Sequence, residues 1–133
     1  NVLFMYELDR RLRAAGSRVK SVGCHPGYAA TNLQSVGPRM EGASFSERVM
    51  SLGNKLFAQP AEAGAWPTLY AACGEDIESA DYLGPNGFKE MRGEAVKATT
   101  SKSAKSEEDA ARLWSTSEEL TAVKYAFGAA SKL

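Results

Sequence analysis

The residues best suited to chemistry sit together at one point of the chain, Cys24-His25-Pro26-Gly27, with Tyr28, Ala29 and Thr31 close behind. His25 is the sole histidine, so no multi-histidine metal site can be assembled from it and no metal is expected. Cys24 and His25 are neighbours, and neighbouring strand residues point to opposite faces. That suits neither a thiolate–imidazole dyad nor joint chelation. What remains for His25 is a structural role, with its ring packed or hydrogen-bonded at a strand end. Cys24 and Cys73 read as small buried apolar residues. Taken locally, Pro26-Gly27 terminates a strand, because Pro gives no ladder donor and Gly tolerates positive φ. On the same local reading Thr31 is a loop residue.

Hydrophobic spacing supplies the elements that must position this cluster. Residues 1–15 read as a helix, with Phe4, Leu8, Leu12 and Ala15 on one face and Met5 beside them. Glu7 and Arg11, like Asp9 and Arg13, stand at the favourable i,i+4 order, and Gly16 sits where a C′ glycine would close the helix. Residues 18–24 read as a strand carrying Val19, Val22 and Cys24, followed by a loop over 28–42. Ser44 and Glu47 form a capping box for a second helix to about Ala58, with Val49, Leu52, Leu56 and Phe57 on its apolar face. Pro60 suits the N1 position of a third helix that ends at Cys73 and is kinked by Pro67. Tyr82 and Leu83 form a short strand, stopped by Gly84-Pro85-Asn86-Gly87. Residues 95–105 read as a Ser/Thr/Lys-rich loop. Ser106 caps a last helix whose first turn is acidic and whose buried stripe is Ala110, Leu113, Trp114 and Leu120.

The chain has 133 residues, with 16 basic and 16 acidic side chains, so no net charge draws it to nucleic acid or an anionic membrane. No apolar run approaches the ~20 residues of a membrane span. Two cysteines do not make a disulfide framework, and a reducing, cytoplasmic setting is the expectation. One Ile and seven Val against 21 Ala cannot furnish a complete parallel sheet. The composition leaves two choices: a small, mostly helical domain, or a piece of a larger α/β protein. Arg10, Arg11 and Arg13 read as a solvated helix face, since Glu7 and Asp9 lie among them.

Five stretches in order resemble the short-chain dehydrogenase/reductase family, in its branch of retinol dehydrogenases, protochlorophyllide reductases and WW-domain oxidoreductases. They are Asn1-x-Leu3-Phe4-x-x-Glu7-Leu8-x-Arg10-Arg11-Leu12, Val19-x-x-Val22-x-Cys24-His25-Pro26-Gly27-x-x-x-Thr31-Asn32-Leu33, Pro60-Ala61-Glu62-x-Gly64-Ala65 with Thr68-Leu69-Tyr70-Ala71-Ala72, Tyr82-Leu83-Gly84-Pro85, and the pair Ala111-Arg112-Leu113-Trp114 and Ser117-Glu118-Glu119-Leu120-Thr121. The resemblance implies an α/β fold: the C-terminal part of a Rossmann-like, doubly wound parallel sheet, with about two strands and four helices present. Residues 1–133 would be one segment of one NAD(P)-binding domain, with no second domain. The pattern starts in mid-helix at Val2, as it would in a chain cut just after the family's catalytic Tyr and Lys. Tyr6 is not that tyrosine, because the fourth residue after it is Arg10. The family's glycine-rich pyrophosphate turn is absent too.

By resemblance, then, the parent is an NAD(P)(H)-dependent oxidoreductase that reduces a carbonyl, oxidises an alcohol or carries out a related hydride transfer. NADP is favoured over NAD on that ground alone. Pro26 and Gly27 would turn beneath the nicotinamide, while the backbone of Tyr28 and Ala29 and the Thr31 hydroxyl would hold its carboxamide. Leu33, Val36, Met40 and Phe45 would belong to a substrate lid. Implied partners are a small carbonyl or alcohol substrate, the missing N-terminal part of the domain and a second copy of the chain. Neither nucleic acid nor a membrane span is expected. With catalytic Ser, Tyr and Lys upstream, the 133 residues alone would catalyse nothing, and an unpaired strand edge would make them prone to associate. Two alternatives stay open: a non-catalytic helical interaction module, which would favour an antiparallel ribbon, and a pseudoenzyme fragment. Parallel strand pairing is what the reductase reading requires.

Overall fold

The structure, a computed structural model, describes residues 1–29 and 58–127. The capping box at Ser44 and the helix expected after it, together with Thr31, Leu33, Val36, Met40 and Phe45, lie outside the described residues. The fold is α/β. Its elements are α1 (Val2–Ala14), β1 (Gly23–Cys24), α2 (Ala61–Cys73), β2 (Tyr82–Pro85), β3 (Ala95–Lys97) and α3 (Glu107–Thr121), with 3-10 turns at Phe88–Glu90 and Ser103–Lys105. No described helix is long and apolar enough to cross a membrane.

The three strands form a mixed sheet in the order β1-β2-β3. Gly23 N–H donates to Asp81 O at 3.0 Å and His25 N–H to Leu83 O at 2.9 Å. Residue numbers rise together along both strands, so β1 and β2 are parallel, joined through a connection that contains α2. β2 and β3 are antiparallel, with Leu83 opposite Lys97, Gly84 opposite Val96 and Pro85 opposite Ala95. Two sequence expectations change here. The strand expected over 18–24 is reduced to its last two residues. Ser21 N–H is taken by Ser79 Oγ, Ser21 O by Ala80 N–H, and Ser21 Oγ donates to Met5 O. At Ser21 a side-chain hydroxyl thus takes the amide that would otherwise extend the ladder. Conversely, part of the expected 95–105 loop is strand β3. Its Ala and Val are small enough to hide the alternation that ladder pairing requires.

The chain falls into two compact units. The first comprises Asn1–Gly23, Glu75–Tyr82 and Thr99–Leu133. Here α1 packs on α3. The α1 helix closes with Gly16 at φ +66°, Gly16 N–H on Arg13 O and Ser17 N–H on Leu12 O, a paired termination that satisfies two of the last carbonyls. Ser106 caps α3 through its Oγ, which accepts from Asp109 N–H at 3.2 Å. Trp114 is 2% exposed and stacks on Phe4 with centroids 4.9 Å apart. Its Nε1 donates to Glu118 Oε1 at 2.8 Å, and the Arg11 guanidinium lies 4.5 Å from the ring centroid. After α3, Ala122 takes a left-handed conformation, and Tyr125 and Phe127 close on Trp114 at 5.6 and 5.8 Å.

The expected stripe of α3 is corrected at two places. Ala110 and Trp114 are buried, whereas Leu113 and Leu120 are exposed, Leu120 at 82%. Leu113 and Leu120 are seven apart and share a face about 100° from that of Trp114. On α1 the fully buried residues are Met5, Glu7 and Asp9, while Phe4, Leu8, Leu12 and Ala15 are half-buried. The expected i,i+4 pairs are present, Glu7 with Arg11 at 2.7 Å and Asp9 with Arg13 at 2.8 Å, and Arg10 also binds Glu7. Burial opposes ionisation of Glu7. The hydrogen bonds and charges of Arg10 and Arg11 outweigh it and hold the carboxyl below the usual glutamate range.

The second unit comprises Cys24–Gly74 and Leu83–Ala98. In it α2 packs beside β3, and Leu83 is fully buried. Pro60 stands at the N-cap rather than at N1, with ψ 149°, and Pro67 is buried inside the helix. Trp66 and Leu69, three apart, are 48% and 58% exposed.

Two outcomes follow for the first unit. Replacing Trp114 with Ala costs about 3–5 kcal/mol, read as a lowered urea midpoint by circular dichroism. Because the folded pKa of Glu7 is depressed, its stabilisation is fully present above the unfolded value (~4.3) and is lost as pH falls through the folded one. A stability–pH titration of wild type should show this loss below about pH 4, and Glu7→Gln should flatten it.

Candidate functional site

The site is built at the carboxyl end of β1, inside the second unit. His25 N–H still belongs to the ladder, bonded to Leu83 O at 2.9 Å, and the chain leaves the sheet at Pro26. His25 Nδ1 then accepts Gly27 N–H at 3.3 Å, across the proline. Gly27 takes φ +64°, and a β-carbon there would meet Met91 O at 2.5 Å and Pro85 Cγ at 2.7 Å. Both the dihedral and the space therefore demand glycine. Tyr28 N–H donates to Met91 O at 2.6 Å, and Tyr28 O accepts from Gln59 N–H at 2.9 Å. Ala29 is 6% exposed and forms a parallel bridge with Gln59. A methyl group on Gly64 of α2 would come within 2.7 Å of the Ala29 methyl, so glycine lets the helix approach this closely.

Gln59 is the residue that sequence reasoning passed over. It is 5% exposed, and its side chain bridges two segments: Nε2 donates to Pro26 O at 2.7 Å and Oε1 accepts Gly93 N–H at 3.2 Å. The one visible signal was a polar side chain just ahead of the Pro60 that opens a helix. The 86–94 turn closes the other side. Gly87 N–H bonds Arg92 O at 2.8 Å and Asn86 N–H bonds Glu94 O at 3.0 Å. Lys89 and Glu90 both have positive φ, 50° and 55°, which costs roughly 1–2 kcal/mol each. That turn brings Glu90 Oε2 to 3.2 Å from His25 Nε2. Its Asn86-Gly87 start was legible as a turn, but its contact with the His25 loop was not.

Pro26, Gly27, Tyr28 and Ala29 thus form one loop, tied down at every residue. Thr31 and the lid residues Leu33, Met40 and Phe45 lie outside the described residues. The reading of His25 as a ring packed and bonded at the strand end agrees with its contacts. Cys24 and Cys73, expected to be buried, are both exposed, with Cys24 Sγ 3.4 Å from Thr68 Oγ1. Cys24 lies at the strand's end and Cys73 on the last turn of α2, where the second unit does not cover them. The amide and carbonyl of Tyr28 are both engaged within the chain. The backbone of Tyr28 thus fixes the shape of the described loop.

No protein-family profile matches the chain. It is 31% identical over 128 residues to retinol dehydrogenase 13 of Mus musculus, an alignment that covers 96% of this chain and 35% of that protein. A crystal structure of an uncharacterized protein from Mycobacterium paratuberculosis matches with a TM-score of 0.66 at 34% identity, over 94% of this chain and 37% of the other. The chain spans little more than a third of the length of these relatives. It is a distant, partial relative of retinol dehydrogenase 13, which supports a relationship to the short-chain dehydrogenase/reductase family. The fold is consistent with part of a Rossmann-like domain.

Gly27→Ala tests the turn. It places a methyl against Met91 O at a left-handed φ and should cost more than about 1–2 kcal/mol, read from chemical denaturation. Gly16→Ala, with the same sign of φ but open space around it, should cost only about 1 kcal/mol.

Proposed function

We propose that the parent of this chain is an NAD(P)(H)-dependent oxidoreductase that transfers hydride between its cofactor and a small carbonyl or alcohol, and that residues 1–133 are the C-terminal segment of its one Rossmann-like domain. The observation that carries this reading is the locked Pro26–Ala29 loop at the carboxyl end of a strand in parallel pairing. That is where open α/β sheets bind their ligands. The relationship to retinol dehydrogenase 13 supports the same reaction class.

In this reading Pro26, Gly27, Tyr28 and Ala29 make the floor beneath the nicotinamide, and Thr31 adds a hydroxyl to its carboxamide. A bound nicotinamide supplies or accepts the hydride. The work of these residues is to fix one face of the ring, which is worth a large share of the barrier in a two-reactant transfer. Leu33, Met40 and Phe45 exclude water from that transfer as a lid. NADP rather than NAD, and a cytoplasmic setting, are part of the proposal. The proton-transferring groups come from upstream, so the segment alone is inactive.

Among the described residues, β1 lies at the edge of the sheet. Gly23 and His25 face β2, so by alternation the amides of Val22 and Cys24 point the other way. A strand from the upstream part would pair there, which agrees with the share of the relatives' length left uncovered.

The test compares the 133-residue chain with the parent polypeptide. The parent should bind NADP(H) and oxidise NADPH with carbonyl substrates, and the chain alone should not turn over. Thr31→Val in the parent should raise the cofactor KM roughly tenfold, the value of one hydrogen bond. A parent that binds no nicotinamide nucleotide, or a 133-residue chain that turns over alone, overturns the reading.

A further inference from the structure

His25 makes three contacts that no strand residue needs for pairing. Its Nδ1 accepts Gly27 N–H, two residues on, so the ring and the turn that follows it are one unit. Its buried Nε2 lies 3.2 Å from a carboxylate oxygen of Glu90. The Nε2 corner of its ring also abuts Gly84 of β2, where an added methyl group would collide with Nε2 and come within 2.6 Å of Cδ2 and 2.9 Å of Cε1. Gly84 has ordinary extended φ, so glycine is required there by the imidazole and not by the backbone. Space has been cleared in one strand for a ring carried by the other. Glu90 in turn is presented by a turn with two consecutive left-handed residues, an arrangement that persists only when surrounding contacts fix it.

A ring that served only as packing would leave both nitrogens indifferent. Here one nitrogen sets the turn and the other reaches the strained segment that also receives Tyr28 N–H through Met91 O. We propose that His25 is a positioning residue: through Gly27 and Glu90 it sets the pose of the Pro26–Ala29 loop on which the cofactor's nicotinamide rests. This rests on the function proposed above, and it assigns His25 no contact with substrate or cofactor.

The two nitrogens can be separated by substitution. Asn places a polar atom near the Nδ1 position and keeps an acceptor for Gly27, whereas Ala keeps nothing. In the parent polypeptide, His25→Ala should raise the KM for the nicotinamide nucleotide roughly tenfold while kcat falls much less, since a displaced loop weakens cofactor placement. His25→Asn should recover most of that loss. Amide exchange at Gly27 should quicken in His25→Ala and return in His25→Asn. A purely structural histidine gives a different result: both variants lower the melting temperature and the active fraction together, and KM stays where it was. Glu90→Gln, a change at an exposed side chain that does not threaten folding, should move KM in the same direction by roughly threefold. Unchanged cofactor KM in both His25→Ala and Glu90→Gln overturns the positioning role while leaving the functional reading intact. A wild-type parent that binds no nicotinamide nucleotide overturns both.

Discussion

The side-chain amide of Gln59 reaches Pro26 O with its nitrogen and Gly93 N–H with its oxygen, while its backbone N–H closes on Tyr28 O. Three segments far apart in sequence meet on that one residue. Gln59 itself is buried, and a buried polar group left without a partner carries a desolvation cost. A glutamine satisfies a carbonyl and an amide at once because its head carries a donor and an acceptor on a single plane. Glu would leave Pro26 O without a donor, and Leu would orphan both groups. The shape of the Pro26–Ala29 loop, the approach of α2 through Gly64 and the placement of the 86–94 turn all depend on this bridging residue.

The two units rely on different physics. The first is held by a large aromatic cluster and by buried carboxylates. Trp114 is covered by Phe4, Tyr125 and Phe127, and Glu7 and Asp9 are neutralised by arginines from the same helix. Of those arginines, Arg11 also lays its guanidinium over the Trp114 ring. Among its described residues the second unit shows close approach at glycines: Gly27 under Met91, Gly64 against Ala29, Gly84 beneath His25. Such contacts tolerate little change, because the atoms that would have to yield are the Met91 carbonyl, the Ala29 methyl and the His25 ring.

Helix α1, with its Gly16 terminator and its i,i+4 pairs, could be read from spacing, as could the Ser106 cap of α3. These are local signals, carried within four residues. The same holds for the end of β1 at Pro26 and for the turn at Asn86. What could not be read depends on partners distant in the chain. Nothing near Val96 says that Gly84 will pair with it, and nothing near Ser21 says that Ser79 and Met5 will capture it and shorten the strand. At the site, the choice of Pro26-Gly27 was legible, but the reason for it was not. Glycine at 27 answers to Met91, and glycine at 84 answers to His25, at separations where periodicity carries no information. Leu113 and Leu120 misled because hydrophobicity alone does not fix which of two adjacent helix faces is covered.

The chain has two tryptophans, and the fold gives one to each unit. Trp114 is sealed among three aromatic rings with a guanidinium alongside, and Trp66 stands half in water on α2. An indole in an apolar shell emits at shorter wavelength than one in contact with solvent, and it is shielded from soluble quenchers. The molecule therefore carries its own pair of optical labels, distinguishable by colour and by accessibility. Each reports on a different half of the architecture without any added dye.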